Sequence, residues 1–180
     1  MSLIKSEYAE EFAVVFAWVS ALVPWSVTAA IGSIQGGSLV QIHAPFVVVR
    51  FLFDIDVPGP NPLVMLPWES ISFYAGAPGP IPFVLYTAST CVIALALLLT
   101  LAMWGLEDQV AAARFDEVRA VGGLLLVSAV LLTLSAAVLT LGVPVDAVVS
   151  TSFVGVVIPV GLLLQYVFAY VLLTVDRAPA

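Results

Sequence analysis

Four stretches of this 180-residue chain each run for 20 or more residues without an Asp, Glu, Lys, Arg or His. They are Phe12–Ile31, Phe83–Trp104, Ala120–Leu141 and Ser152–Val175. An α-helix needs about 20 apolar residues to cross roughly 30 Å of hydrocarbon. A single charge near the centre of such a helix costs about 2.5–3.5 kcal/mol on insertion. Four clean runs in one short chain therefore predict four transmembrane helices. Composition points the same way: 62% of residues are hydrophobic and 9% charged, against about 45–50% and about 25% in soluble domains.

The charge balance narrows the partners. Twelve acids against five bases give a net charge of -7, which repels nucleic-acid phosphates and excludes them as a target. The bilayer is the expected partner, with another membrane protein or a second copy as candidates. The few bases also orient the chain. With a cytoplasmic N-terminus, Lys5, Arg114, Arg119 and Arg177 face inward and Arg50 alone faces outward, as the positive-inside rule requires. Both termini are then cytoplasmic, in a multi-pass cell-membrane protein. Glu7, Glu10 and Glu11 outnumber Lys5 ahead of the first run, so an uncleaved anchor is expected in place of a signal peptide with its basic n-region.

Between the first two runs lies Gly32–Pro82, too long for a turn and too apolar for a disordered linker. Leu39–His43 and Phe46–Asp56 alternate with period two, a strand pattern, and Pro45 should interrupt any ladder between them. Leu63–Leu66 and Ile71–Tyr74, divided by Pro67, are further short strand candidates. The expected fold is thus all-α: one membrane domain over residues 1–180, with a small β-rich extracellular cap at 32–82 between helices 1 and 2. The inner connection Gly105–Arg119 is short and mixed in charge, with Asp116 placed to cap the third helix.

Residues that could carry chemistry are sparse. Asp54-Ile55-Asp56 matches a three-residue cation-binding pattern, but Arg50 is the only external base to accompany it. His43, Asp54, Asp56 and Glu69 form a metal-ligand candidate, against which stands the plainer reading of His43 as a surface or interface residue. The chain has no other histidine, and no nucleophile elbow, phosphate loop, dinucleotide fingerprint or haem motif. Cys91, the single cysteine, reads as a small buried hydrophobe. Trp18 and Trp25 should pack against neighbouring helices.

Within the runs, Pro24 and Pro159 are expected to kink helices, and Gly155 and Gly161 to let helices approach closely. Gln165, Tyr166 and Tyr170 form a candidate interhelical polar seam. No catalytic residue, metal or cofactor is expected. The expected role is non-enzymatic, a structural or accessory subunit of a membrane complex. The alternative is a small-solute channel or transporter component, its path lined by Gln165, Tyr166, Thr87 or Ser89.

One lysine, a strong acid excess and abundant Ala and Val resemble the proteins of halophilic archaea, whose exposed carboxylates hold water in concentrated salt. Lys5-Ser6-Glu7-Tyr8-Ala9-Glu10-Glu11 and Leu22-Val23-Pro24-Trp25-Ser26-Val27-Thr28 resemble an uncharacterised family of small haloarchaeal membrane proteins. That resemblance implies no activity.

Overall fold

The computed structural model describes residues 8–34, 37–54, 59–76, 79–105, 116–141 and 156–175. Among them are five helices: α1 (Ala9–Leu22), α2 (Pro67–Phe73), α3 (Ile81–Gly105), α4 (Glu117–Leu141) and α5 (Val160–Thr174). Five strands, β1 (Ser26–Ile34), β2 (Gly37–Ala44), β3 (Val47–Phe53), β4 (Leu63–Met65) and β5 (Val156–Ile158), form one antiparallel sheet in the order β4-β3-β2-β1-β5.

This corrects the expectation of an all-α membrane protein with four transmembrane helices. Among the described residues, only α3 and α4 are long and apolar enough to cross a membrane. α1 has 14 residues and α5 has 15, about 21–22 Å of helix against roughly 30 Å of hydrocarbon. Both apolar runs change from one secondary structure to the other part-way. Pro24 does not kink a long helix; α1 ends before it, with Val23 N–H still bonded to the Val19 carbonyl at 2.9 Å. Ser26 then opens a strand inside the expected first span. In the fourth run, β5 precedes Pro159 and α5 follows it. Proline cannot donate to either ladder, so it sits where one gives way to the other.

The sheet is accordingly not confined to residues 32–82. β1 is an interior strand, paired with β2 on one side and β5 on the other. β2 and β3 pair from Ser38↔Phe53 to Ala44↔Val47. Pro45 does not interrupt this ladder; with Phe46 it forms the turn, where a missing N–H costs nothing. Leu63–Met65 is a strand as expected, but Ile71–Tyr74 is not. Pro67 opens α2 there, and the Glu69 carboxylate accepts the Leu66 N–H at 2.8 Å.

α3 packs along α4, α4 along α5, and α1 against all three. Their contact faces are small. Ala9, Ala13, Ala17 and Ala21 repeat every fourth residue on the buried face of α1. A β-carbon on Gly122 of α4 would stand 2.9 Å from that of Leu172, so glycine sets the spacing to α5. Asp116 caps α4, accepting the Arg119 N–H at 3.0 Å. Large side chains point the other way: Leu95, Leu98 and Leu101 on α3, Val127 and Leu134 on α4, Leu163 and Val167 on α5 are all exposed. Cys91 lies on the exposed side of α3, not in the core as its apolar neighbours suggested. Trp18 is likewise exposed on α1, whereas Trp25 is buried.

Candidate functional site

The polar residues gather in two places, both on inward faces. The first is the side of the sheet turned toward the helices. Cross-strand partners share a face, so Ser26 and His43, and then Thr28, Gln41 and Arg50, stand in adjacent rows. Gln41, with His43 two residues further along β2, brings a second polar side chain to that face.

Hydrogen bonds link these rows in one direction. The Tyr74 hydroxyl donates to Gln41 Oε1 at 2.8 Å, because an amide oxygen can only accept. That leaves the amide Nε2 of Gln41 toward His43 Nε2, at 2.9 Å. A primary amide nitrogen only donates, so His43 Nε2 accepts and the ring proton sits on Nδ1. Nδ1 then donates to Ser26 Oγ at 3.3 Å. A general base would need the reverse polarity, with Nδ1 taking the serine proton. With one ring nitrogen accepting and the other donating, the imidazole is neutral. Burial raises the pKa of the Tyr74 hydroxyl, against the opposing charge of Arg50. The Arg50 guanidinium also lies over the Phe73 ring, 4.8 Å from its centre.

At the Ser26 end the chain meets a cavity of about 30 Å³, lined by Trp25, His43, Tyr86, Ser135 and Pro159 among others. Its volume admits one or two waters and nothing larger. Trp25 and Tyr86 meet edge-to-face with ring centres 5.3 Å apart, and Trp25 Nε1 donates to the Ser20 carbonyl at 3.2 Å. Next to the lining residue Leu162 stands Gly161. Its N–H and that of Leu162 bond the Pro24 and Trp25 carbonyls at 3.1–3.4 Å. A β-carbon there would stand 2.6 Å from the Pro24 oxygen. The unsatisfied start of α5 thus meets the carbonyls left free where α1 breaks off.

The second polar cluster is inside the bundle. Ser89 of α3 and Ser128 of α4 are 2.7 Å apart, and Ser128 donates to Gln165 Oε1 of α5 at 3.2 Å. Gln165 is fully buried, and its Nε2 has no hydrogen-bond partner. Tyr166 reaches a different neighbour, Thr133, at 2.8 Å. Tyr170 is 62% exposed and belongs to neither contact. Thr87 bonds back to the Phe83 carbonyl of its own helix at 2.8 Å. The three seam candidates of the sequence therefore occupy three different environments, with Gln165 alone in the buried cluster.

The carboxylate candidates do not converge. His43 is buried while Asp54 and Glu69 are exposed, and Asp56 lies outside the described residues, as do Gly155, Lys5, Arg114 and Arg177. Among the described residues no three His, Cys, Asp or Glu side chains gather as a metal site. A larger groove, about 540 Å³, runs between the first turns of α1 and the end of α3, from Glu10 and Glu11 past Trp18 to Trp104.

A family model matches residues 2–177, nearly the whole chain. The chain belongs to the family of unknown function DUF7549. No curated protein matches it. This family member thus combines two helices of membrane-crossing length with a five-stranded sheet, and its polar groups are turned inward in both.

Proposed function

We propose that this chain is an integral membrane protein with a non-enzymatic role, a structural or accessory subunit of a larger membrane assembly. One observation carries the membrane part: the outward faces of α3 and α4 are apolar. Surface helices of soluble proteins put apolar residues inward and charges outward. Here α3 and α4 carry leucine, valine and tryptophan outward, and bury Ser89, Thr90, Thr100, Ser128 and Ser135 beside Ile93, Ala96, Leu125 and Ala129. Only 33% and 39% of their most apolar stretches are buried, too little for core helices of a soluble fold. Small and hydroxylated contact faces are what helices use to associate in lipid, where apolar side chains gain nothing by hiding.

The distribution of bases favours cytoplasmic termini, and the acid-rich, lysine-poor composition suits a membrane facing concentrated salt. The accessory role draws support from the His43 network, whose proton is on the wrong nitrogen to activate Ser26. A second reading, passage of a small solute, takes its support from the unpartnered Gln165 Nε2 inside the bundle.

Two experiments test the proposal. Membranes from cells expressing the chain should retain it after an alkaline carbonate wash and release it to mild detergent; release by carbonate alone would overturn the membrane reading. Affinity purification in that detergent should then recover a partner at near-equal amount. Recovery of this chain alone would overturn the accessory role. Substrate-dependent thermal stabilisation, abolished in Gln165→Leu, would favour transport.

A further inference from the structure

The geometry points to lipid contact by the sheet as well as by the helices: its Pro45–Phe46 end is immersed in the hydrocarbon, with its outer face against acyl chains. This rests on the membrane reading above and adds a β-structured surface to it.

Depth is the first ground. Thr90 Oγ1 donates to the Pro45 carbonyl at 2.7 Å, so the β2–β3 turn touches α3 nine residues beyond Ile81, about 13 Å along the axis. α3 has 25 residues, about 37 Å, which exceeds the hydrocarbon by about 7 Å. Even if all of that surplus protrudes on the sheet side, Thr90 and the turn remain about 6 Å inside. α1 leads to the same level independently. Its first turns share a groove with Leu101 and Trp104, so α1 starts beside the far end of α3. Its 14 residues climb about 20 Å and stop near the height of Thr90. Beyond that point the apolar run continues as strand.

The chemistry of the outer face is the second ground. Val27, Ile42, Ala44, Val47, Val49 and Ile158 share it by register, at the turn end of four strands. None is polar, and Phe46 at the tip is 39% exposed. A sheet in water reverses this arrangement, hiding such residues and presenting groups like Gln41 and His43.

The backbone is the third. Hydrocarbon tolerates peptide groups only where they are bonded internally. Pro45 and the Ala44 carbonyl meet that demand: Pro45 has no N–H, its carbonyl accepts from Thr90, and the Ala44 carbonyl accepts from the Tyr86 hydroxyl. Trp25 N–H bonds the His43 carbonyl at 2.8 Å.

Nitroxide accessibility in the full chain tests this. On a Cys91→Ala background, single cysteines replace Phe46 and Ile158, with Leu95 as the lipid reference on α3 and Asn61 as the water reference. Each labelled variant is reconstituted in phosphatidylcholine nanodiscs and relaxed by oxygen and by a water-soluble nickel chelate. Labels at 46 and 158 should show the oxygen-to-nickel ratio of position 95. A ratio matching position 61, with position 95 still in lipid, overturns the immersion and leaves the membrane reading standing. Position 95 in water overturns both. Labels at 46 and 158 shielded from both relaxers, with spin–spin broadening, would put a second copy on the face and also overturn it. One site lies in the β2–β3 turn and the other on β5, and both are partly exposed, so misfolding of one variant leaves the other to decide.

Discussion

α3 and α1 are both drawn from runs of 20 or more uncharged residues, yet α3 keeps its helix for 25 residues and α1 stops after 14. The same contrast separates α4, with 25 residues, from α5, with 15. Hydrophobicity is shared by all four runs and so explains none of the difference. What differs is local. α3 and α4 have no proline past their first turn and are rich in Leu and Ala. The other two runs hold Pro24 and Pro159, each with β-branched residues close by. Apolar content selects an environment, while backbone chemistry selects the shape the chain takes in it.

The joint between the two short helices is the most sensitive place to test that contrast. Gly161→Val drives a side chain into the Pro24 carbonyl, 2.6 Å from where its β-carbon would stand, and disturbs two backbone hydrogen bonds. A loss of about 3 kcal/mol or more is expected, seen as a collapsed thermal midpoint in detergent. Gly123, with open space around it, should accept alanine without loss. Equal effects at the two sites would dissolve the distinction between joint and helix.

A comparable effect comes from the polar network. His43→Phe should lower stability by about 1–3 kcal/mol, because Gln41 and Ser26 lose their shared partner. An unchanged thermal midpoint in detergent would show that the network adds nothing to the fold.

Smaller effects belong to the regular helices. Asp116→Ala, which removes the cap of α4, should cost about 1 kcal/mol. Pro24→Ala should cost less still, about 0.5–1 kcal/mol, since it mainly frees the unfolded chain. If it instead joins α1 to a longer helix, amide hydrogen exchange at Val27 and Ala29 will lose its strand protection, and proline alone will have held the break.

Much of this was legible in the residues. The expected runs 83–104 and 120–141 fall within one to three residues of α3 and α4. The patterns over Leu39–His43 and Phe46–Asp56 marked two strands, observed as Gly37–Ala44 and Val47–Phe53, but not their pairing. Other features were hidden by competition between signals. Val27, Thr28 and Ile31 are β-branched, but they close a run whose overall hydropathy reads as helix. Pro45 reads as a breaker in isolation and becomes a turn only because β2 and β3 find each other. The polar network escaped for a similar reason. Gln41 and His43 are two apart on one strand face, which was visible, but Tyr74 is 33 residues further along and Ser26 lay inside a supposed membrane helix.

The strand order carries a consequence for synthesis. β1 is made early, yet one of its two neighbours, β5, begins only at Val156. Until then one edge of β1 is bare, and the Pro24 and Trp25 carbonyls await the Gly161 and Leu162 amides. A nascent chain stalled after α4 would carry an open edge in the middle of its sheet. Completion of the last helix is thus what closes the molecule, and an interrupted copy would present cellular surveillance with an unmistakable mark.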